Sequence, residues 1–251
     1  MTTDNIVFLN IIFLLLAGGV PYFIILEKSN KFSAKAIFIV SGFLLLTGVL
    51  LSFYTDREYM TSFVLVSFFT ALYSIYRATQ TTNFYKLGYY FIFINAPFFI
   101  LFEEHGAFYS LSLLVSLLGI YAIASFYEKH YGSANYLYVR GITLATPLVG
   151  IHITVYLITI GLYPPLPNSL FFLTHIFNSE ANALWLVIVI TLYAGNFLVS
   201  MRVLERSIFG KKNPNIHYVD LNFKEKITHF AIIVSLVLLS IYGMKEILTW
   251  A

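Results

Sequence analysis

Apolar residues arrive in long runs separated by short polar clusters, at intervals that suit membrane-crossing helices. A helix needs about 20 predominantly apolar residues to cross the hydrocarbon core of a bilayer. On that measure the runs predict spans over residues 6–26, 36–53, 60–76, 87–102, 106–127, 183–201 and 227–244. One further run, 141–162, meets Pro164, Pro165 and Pro167 and resumes over 169–177. The fold class predicted is therefore all-α: a polytopic helical membrane protein with about eight transmembrane helices, the sixth broken at its proline-rich stretch. The first run does not read as a cleavable signal, because Asp4 stands where a basic region belongs and the run is too long for an h-region.

Charge placement supports counting the broken run as one crossing. Lys and Arg collect in cytoplasmic loops. Lys28, Lys31 and Lys35 follow the first span, Arg77 and Lys86 the third, and Lys129 and Arg140 the fifth. Arg202, Arg206, Lys211, Lys212, Lys224 and Lys226 follow the seventh, so that 13 of the 15 basic residues share one side. Arg57 and Lys245 fall on the other side, with Asp4, Asp56, Glu58, Glu103, Glu104 and Glu180. This alternation implies eight crossings with both termini outside the cytoplasm, in a bacterial inner membrane. A broken helix at membrane depth survives where protein or a watery cavity satisfies the freed backbone groups.

Composition excludes the soluble alternatives. Hydrophobic residues make up 59% of the 251-residue chain and charged residues 11%, with a mean hydropathy of +0.81. Soluble domains carry about 25% charged residues, so a soluble enzyme, a disordered chain and a nucleic-acid binder are ruled out. The chain has no cysteine, which removes disulfides, thiolate metal sites and cysteine nucleophiles. P-loop, HExxH and GxSxG patterns are absent. No catalytic residue, metal site or cofactor is expected of this chain alone. The longest polar segment, 210–226, reads as a loop with a short amphipathic piece near 221–227 and is too short for a domain.

Polar groups at membrane depth are costly and mark function by default. Three stand out. His152 lies mid-span and has a ring that can relay protons or ligate a metal; the plainer alternative is a neutral ring hydrogen-bonded to a neighbouring helix. His175 follows the proline break, either at the edge of a cavity or among the outer headgroups. Asn95 either lines a polar path or satisfies the carbonyl freed by Pro97. A bis-histidine haem needs two rings facing each other from different helices. The two histidines of the sixth span are poorly placed for that, and His105, His130, His217 and His229 fall at span edges. Glu103, Glu104 and His105 form either an ion-collecting cluster or a solvated turn. Arg202, Arg206, Lys211 and Lys212 suit headgroup anchoring or a cytoplasmic partner. Gly18, Gly19 and the i,i+4 pair Ser112 and Ser116 suit close helix packing.

Several segments in order resemble a known family. The stretch ATPLVGIHITVYLITIGLYPPLPNSLFFLTHIF, followed by NALWLVIVITLYAGNFLVSMRVLERSIFG, is similar to the late region of the antiporter-like membrane subunits of respiratory complex I, above all the N-type subunit. Upstream, ATQTTNFYKLGYY and HGAFYSLSLLVSLLGIYAIASFYEKHYG resemble the segments that precede that region. The resemblance covers roughly residues 60 to 250 and divides the chain into residues 1–58, two unassigned spans, and 59–251, a six-helix region like the C-terminal half of the family. It implies a subunit of a multisubunit, proton-coupled machine. Its partners would be other membrane subunits, a cytoplasmic subunit and the lipid bilayer, with no nucleic acid. The family's proton-carrying lysine after the break falls on Phe172, and its histidine or lysine of an earlier helix falls near Ile94 or Asn95. The proton-path candidates are therefore His152, His175 and Asn95. The alternative is a non-conducting scaffold that anchors a cytoplasmic subunit on the basic loop.

Overall fold

The computed structural model describes residues 3–29, 31–55, 60–178, 183–209 and 213–250. Eleven helices are found among these residues and no strand. They are α1 (Thr3–Leu16), α2 (Phe23–Lys28), α3 (Ala34–Ser52), α4 (Thr61–Gln80), α5 (Phe84–Leu101), α6 (Glu103–Tyr131), α7 (Ile142–Ala145), α8 (Pro147–Ile160), α9 (Pro167–Asn178), α10 (Ala183–Ile208) and α11 (Phe223–Trp250). Six of them, α3, α4, α5, α6, α10 and α11, are long and apolar enough to cross a membrane. The chain is a helical protein of multi-pass membrane character.

Helix α5 is the axis of the bundle. Of its apolar window 94% is buried, against 17% for α11 at the periphery. Asn83 starts it by accepting from the amides of Tyr85 and Lys86 at 2.9 and 3.3 Å, which satisfies two N–H groups that a helix start leaves free. Helices α1, α3, α4, α6 and α10 pack around it. Between helices that face lipid, burial of apolar area drives little, so close packing and hydrogen bonds hold the bundle. Glycine admits the closest approaches. A Cβ on Gly88 would stand 2.3 Å from the Phe38 ring, and one on Gly119 2.6 Å from the Tyr156 ring.

The predicted sixth span is broken as its prolines demand. Helix α8 ends at Ile160 and α9 begins at Pro167. The two halves lie end to end along α6 and α11: Tyr156 meets Gly119 and His229, Asn168 meets Ser112, and Leu170 meets Gly243. Leu162, buried in the break, holds φ at +62°, a left-handed conformation that non-glycine residues adopt at a cost.

The predicted first span is broken too, which the sequence reading did not anticipate. Helix α1 stops at Leu16, and Gly18 (φ +79°), Gly19 and Pro21 carry the chain into α2. Both halves run along α5, with Phe13 against Phe99, Tyr22 against Phe93 and Phe23 against Tyr90. The Thr70 hydroxyl of α4 donates to the freed Gly19 carbonyl at 2.7 Å. The glycine pair read as a packing surface is thus the hinge of a broken helix, with Gly18 pressed on Phe93.

The basic helix ends gather at one end of the bundle. Ion pairs tie Lys35 to Glu128, Arg77 to Glu27, Lys129 to Glu225 and Lys226 to Asp220. The polar segment that precedes α11 folds onto the connection after α6: Tyr218 donates to the Arg140 carbonyl at 2.7 Å, and the Val219 amide donates to Tyr131. No separate amphipathic piece forms there. Asn222 and Glu225 exchange side-chain-to-amide hydrogen bonds of 2.9 Å each, a capping box that starts α11 directly.

Candidate functional site

Two buried polar clusters lie on successive turns of α6, whose Tyr109, Ser112, Ser116 and Gly119 share one stripe at helical spacing. The first cluster joins α5, α6, α9 and α10. Asn95 and Asn196 exchange amide hydrogen bonds of 3.0 and 2.8 Å, and the Tyr109 hydroxyl donates to Asn95 Oδ1 at 2.6 Å. Each asparagine also donates to the carbonyl one turn back in its own helix, Asn95 to Phe91 and Asn196 to Leu192. Asn95 therefore closes a lock with α10 instead of serving the carbonyl that Pro97 frees, which is that of Phe93. Ser112 continues the cluster: its hydroxyl lies 2.8 Å from the Tyr109 carbonyl and 2.7 Å from Asn168 Oδ1, and these two acceptors share its single proton. Ser116 donates to the Ser112 carbonyl. At the break, Asn168 Nδ2 and Ser200 Oγ are buried without a hydrogen-bond partner among the described residues.

The second cluster joins α8 and α11. His152 and His229 face each other with ring centroids 4.6 Å apart. Tyr156, one turn after His152, shares a 2.8 Å hydrogen bond with His229 Nδ1. His152 Nδ1 lies 2.5 Å from the Leu148 carbonyl. A carbonyl only accepts, so Nδ1 carries the proton and Nε2 of the neutral ring is left as an acceptor. His229 is 1% exposed. Rings in contact leave no room for a macrocycle between them, which a bis-histidine haem requires. Among the described residues no group of three or more His, Asp or Glu could hold a metal ion.

This cluster reaches toward the basic end of the bundle. Glu225 lies one turn before His229 on α11. Its Oε1 accepts from Lys129 at 2.8 Å and lies 3.3 Å from His130 Nε2. Histidines at two predicted span edges, His130 and His229, thus flank one carboxylate. Sequence reading placed His229 at an edge and missed it as the partner of His152. The i,i+4 spacing of Glu225 and His229 was the one available signal.

The other candidates lie apart. His175 stacks on Phe102 at 4.0 Å and lies 6.0 Å from Trp185, near the opposite end of α6 from His130. Phe172, at the family's lysine position, packs against Phe98 and Tyr193. Arg202 is turned inward, donating to the carbonyls of Ala78 and Thr81 at 3.0 and 3.4 Å. Arg206 is exposed. Lys211 and Lys212, and the side chains of Glu103, Glu104 and His105, lie outside the described residues.

A third cluster was not expected from sequence. Glu27 of α2 accepts from Arg77 at 2.7 Å through one oxygen and from the Tyr89 and Tyr90 hydroxyls through the other. It fastens the second half of the broken first span to α4 and α5.

No model of a known protein family matches the chain, and no curated protein matches it.

Proposed function

We propose that the chain is an integral-membrane subunit of a multisubunit, proton-coupled machine, and that it contributes part of a proton path. The observation that carries this reading is the buried His152–His229–Tyr156 cluster beside a broken helix. Glu225 and His130 lead from it to the basic end of the bundle. Two imidazoles in ring contact, one of them hydrogen-bonded to a hydroxyl, can accept a proton on one nitrogen and release it from another. The α6 stripe continues the polar line from Gly119 through Ser116 and Ser112 to Asn168 at the break. The complex I-like resemblance supports the same reading, as does an eight-crossing topology in which α1–α2 and α8–α9 each count as one broken crossing.

The test replaces His152 and His229 together by Phe in the complex recovered from native membranes with mild detergent. The proposal expects the assembled complex to lose most of its proton coupling while its subunits still co-purify. Full coupling in the assembled double variant would overturn it.

A second reading has its own observation. Helix α11 leaves Phe230, Val234, Leu238 and Ile241 exposed along its length, a face suited to a neighbouring membrane helix. On this reading the chain is a scaffold that conducts nothing and also anchors a cytoplasmic subunit, and the same double variant would couple normally.

A further inference from the structure

At the basic end of the bundle, a cavity of about 490 Å³ opens where α4 ends and α5 begins, lined among others by Tyr76, Arg77, Gln80, Asn83, Lys86 and Tyr90. Its volume is in the range of small-molecule sites. Its lining brings two cations and no carboxylate to one space. Arg77 spends Nε on the Tyr90 hydroxyl and one donor of its second terminal nitrogen on Glu27. Both hydrogens of its first terminal nitrogen have no partner among the described residues. Lys86 Nζ likewise has no ion-pair or hydrogen-bond partner there, whereas Lys35, Lys129 and Lys226 each have one. Glu27 offsets part of the Arg77 charge, but it holds only the second terminal nitrogen, and its other oxygen is taken by Tyr89 and Tyr90. The arrangement fixes the Arg77 guanidinium in place and leaves its free edge and an unpaired ammonium beside the same cavity.

Depth narrows the ligand. The cavity sits at the terminus of α4, an apolar helix long enough to cross a membrane, and two tyrosines flank it. Aromatic side chains with polar tips and basic residues concentrate where hydrocarbon meets headgroups. A guanidinium with free N–H donors and an ammonium are the groups that bind phosphate oxygens.

We propose that this cavity binds a phosphate group carried by an anionic lipid headgroup, held between Arg77 and Lys86. The site is separate from the His152–His229 cluster and does not depend on proton conduction.

The test uses the full chain, purified in mild detergent, stripped of lipid and titrated with phosphatidylglycerol, phosphatidylcholine or inorganic phosphate while bound lipid is counted by native mass spectrometry. The expected result is retention of phosphatidylglycerol over phosphatidylcholine. Lys86→Gln should weaken it about fivefold to tenfold, as removal of one lysine contact does, and Lys86→Arg should restore it. Competition by millimolar inorganic phosphate would confirm that the phosphate is the recognised group; binding of inorganic phosphate without lipid preference would overturn the lipid assignment. Equal retention of phosphatidylglycerol by the parent chain and a folded Lys86→Gln variant would overturn the site. Size-exclusion behaviour and helical circular dichroism establish that the variant is folded.

Discussion

Asn95 on α5 and Asn196 on α10 are paired side chain to side chain by two hydrogen bonds, although they stand 101 positions apart in the chain. With Tyr109 donating to the same oxygen, the pair fixes the rotation of three helices about one another. A buried amide that loses its partner costs about 1–3 kcal/mol, whereas replacing both partners by apolar groups costs less. Asn196→Leu should therefore lower the midpoint of thermal unfolding in detergent, as should Asn95→Leu. The double Leu variant should lose less than the two single losses together. Additive losses would show that the two amides do not depend on each other.

Gly119 makes room for Tyr156, whose hydroxyl meets His229. A methyl group there would stand 2.6 Å from three atoms of the Tyr156 ring, so the ring must move and the Tyr156–His229 bond must open. Gly119→Ala is expected to destabilise the fold by about 1–3 kcal/mol, the cost of overpacking, and to weaken proton coupling. Gly42→Ala is the control, because nothing lies within 4 Å of the added atom. The pair is compared by thermal unfolding monitored on the two tryptophans; equal midpoints would show that the Gly119–Tyr156 approach is not tight.

Thr70 closes the break between α1 and α2 by donating to the Gly19 carbonyl. Thr70→Val keeps the shape and deletes the donor. The carbonyl is then unsatisfied inside the bundle, at a cost of about 1–3 kcal/mol. Limited proteolysis should cut the 17–22 connection faster in the variant, and Thr70→Ser should protect it. Unchanged cleavage in Thr70→Val would mean that the carbonyl has another partner.

Glu27 holds α2 against α4 and α5 through Arg77, Tyr89 and Tyr90. Glu27→Gln removes the charge and leaves Arg77 half-buried without its counter-ion. Hydrogen bonds to charged groups contribute about 1.5–3 kcal/mol, and partial exposure of Arg77 places the expected loss at the lower end. The midpoint of thermal unfolding should fall in Glu27→Gln and recover in part when Arg77→Gln is added. No recovery would assign the loss to the tyrosine hydroxyls instead of the ion pair.

The helix boundaries were largely legible in sequence because apolar run length and turn chemistry act locally. The predicted 36–53 and 87–102 runs correspond to α3 and α5, each extended by a capped first turn at Ser33 and Asn83. Pro164, Pro165 and Pro167 announced the break before α9, since proline removes a backbone donor. Gly18-Gly19-Val20-Pro21 carried a similar signal, but uninterrupted apolarity hid it. The polar partners were not legible. His229 read as an edge residue because distance from the end of a run says nothing about which neighbour waits across the interface.

Sequence by itself determined that this is a helical membrane protein, roughly where its helices run, and that its basic residues cluster in the segments between them. Each follows from quantities measured along the chain: the length of hydrocarbon a helix must cover and the cost of placing charge inside it. Tertiary structure alone decided that His152 meets His229, that Asn95 meets Asn196, and that Glu27 is held by three residues of α4 and α5. The reason is that lipid and protein interior are similarly apolar. An apolar helix in lipid carries little amphipathic pattern to say which face turns inward, and the rotation of each helix is set by the few polar groups and glycines that find each other across the bundle.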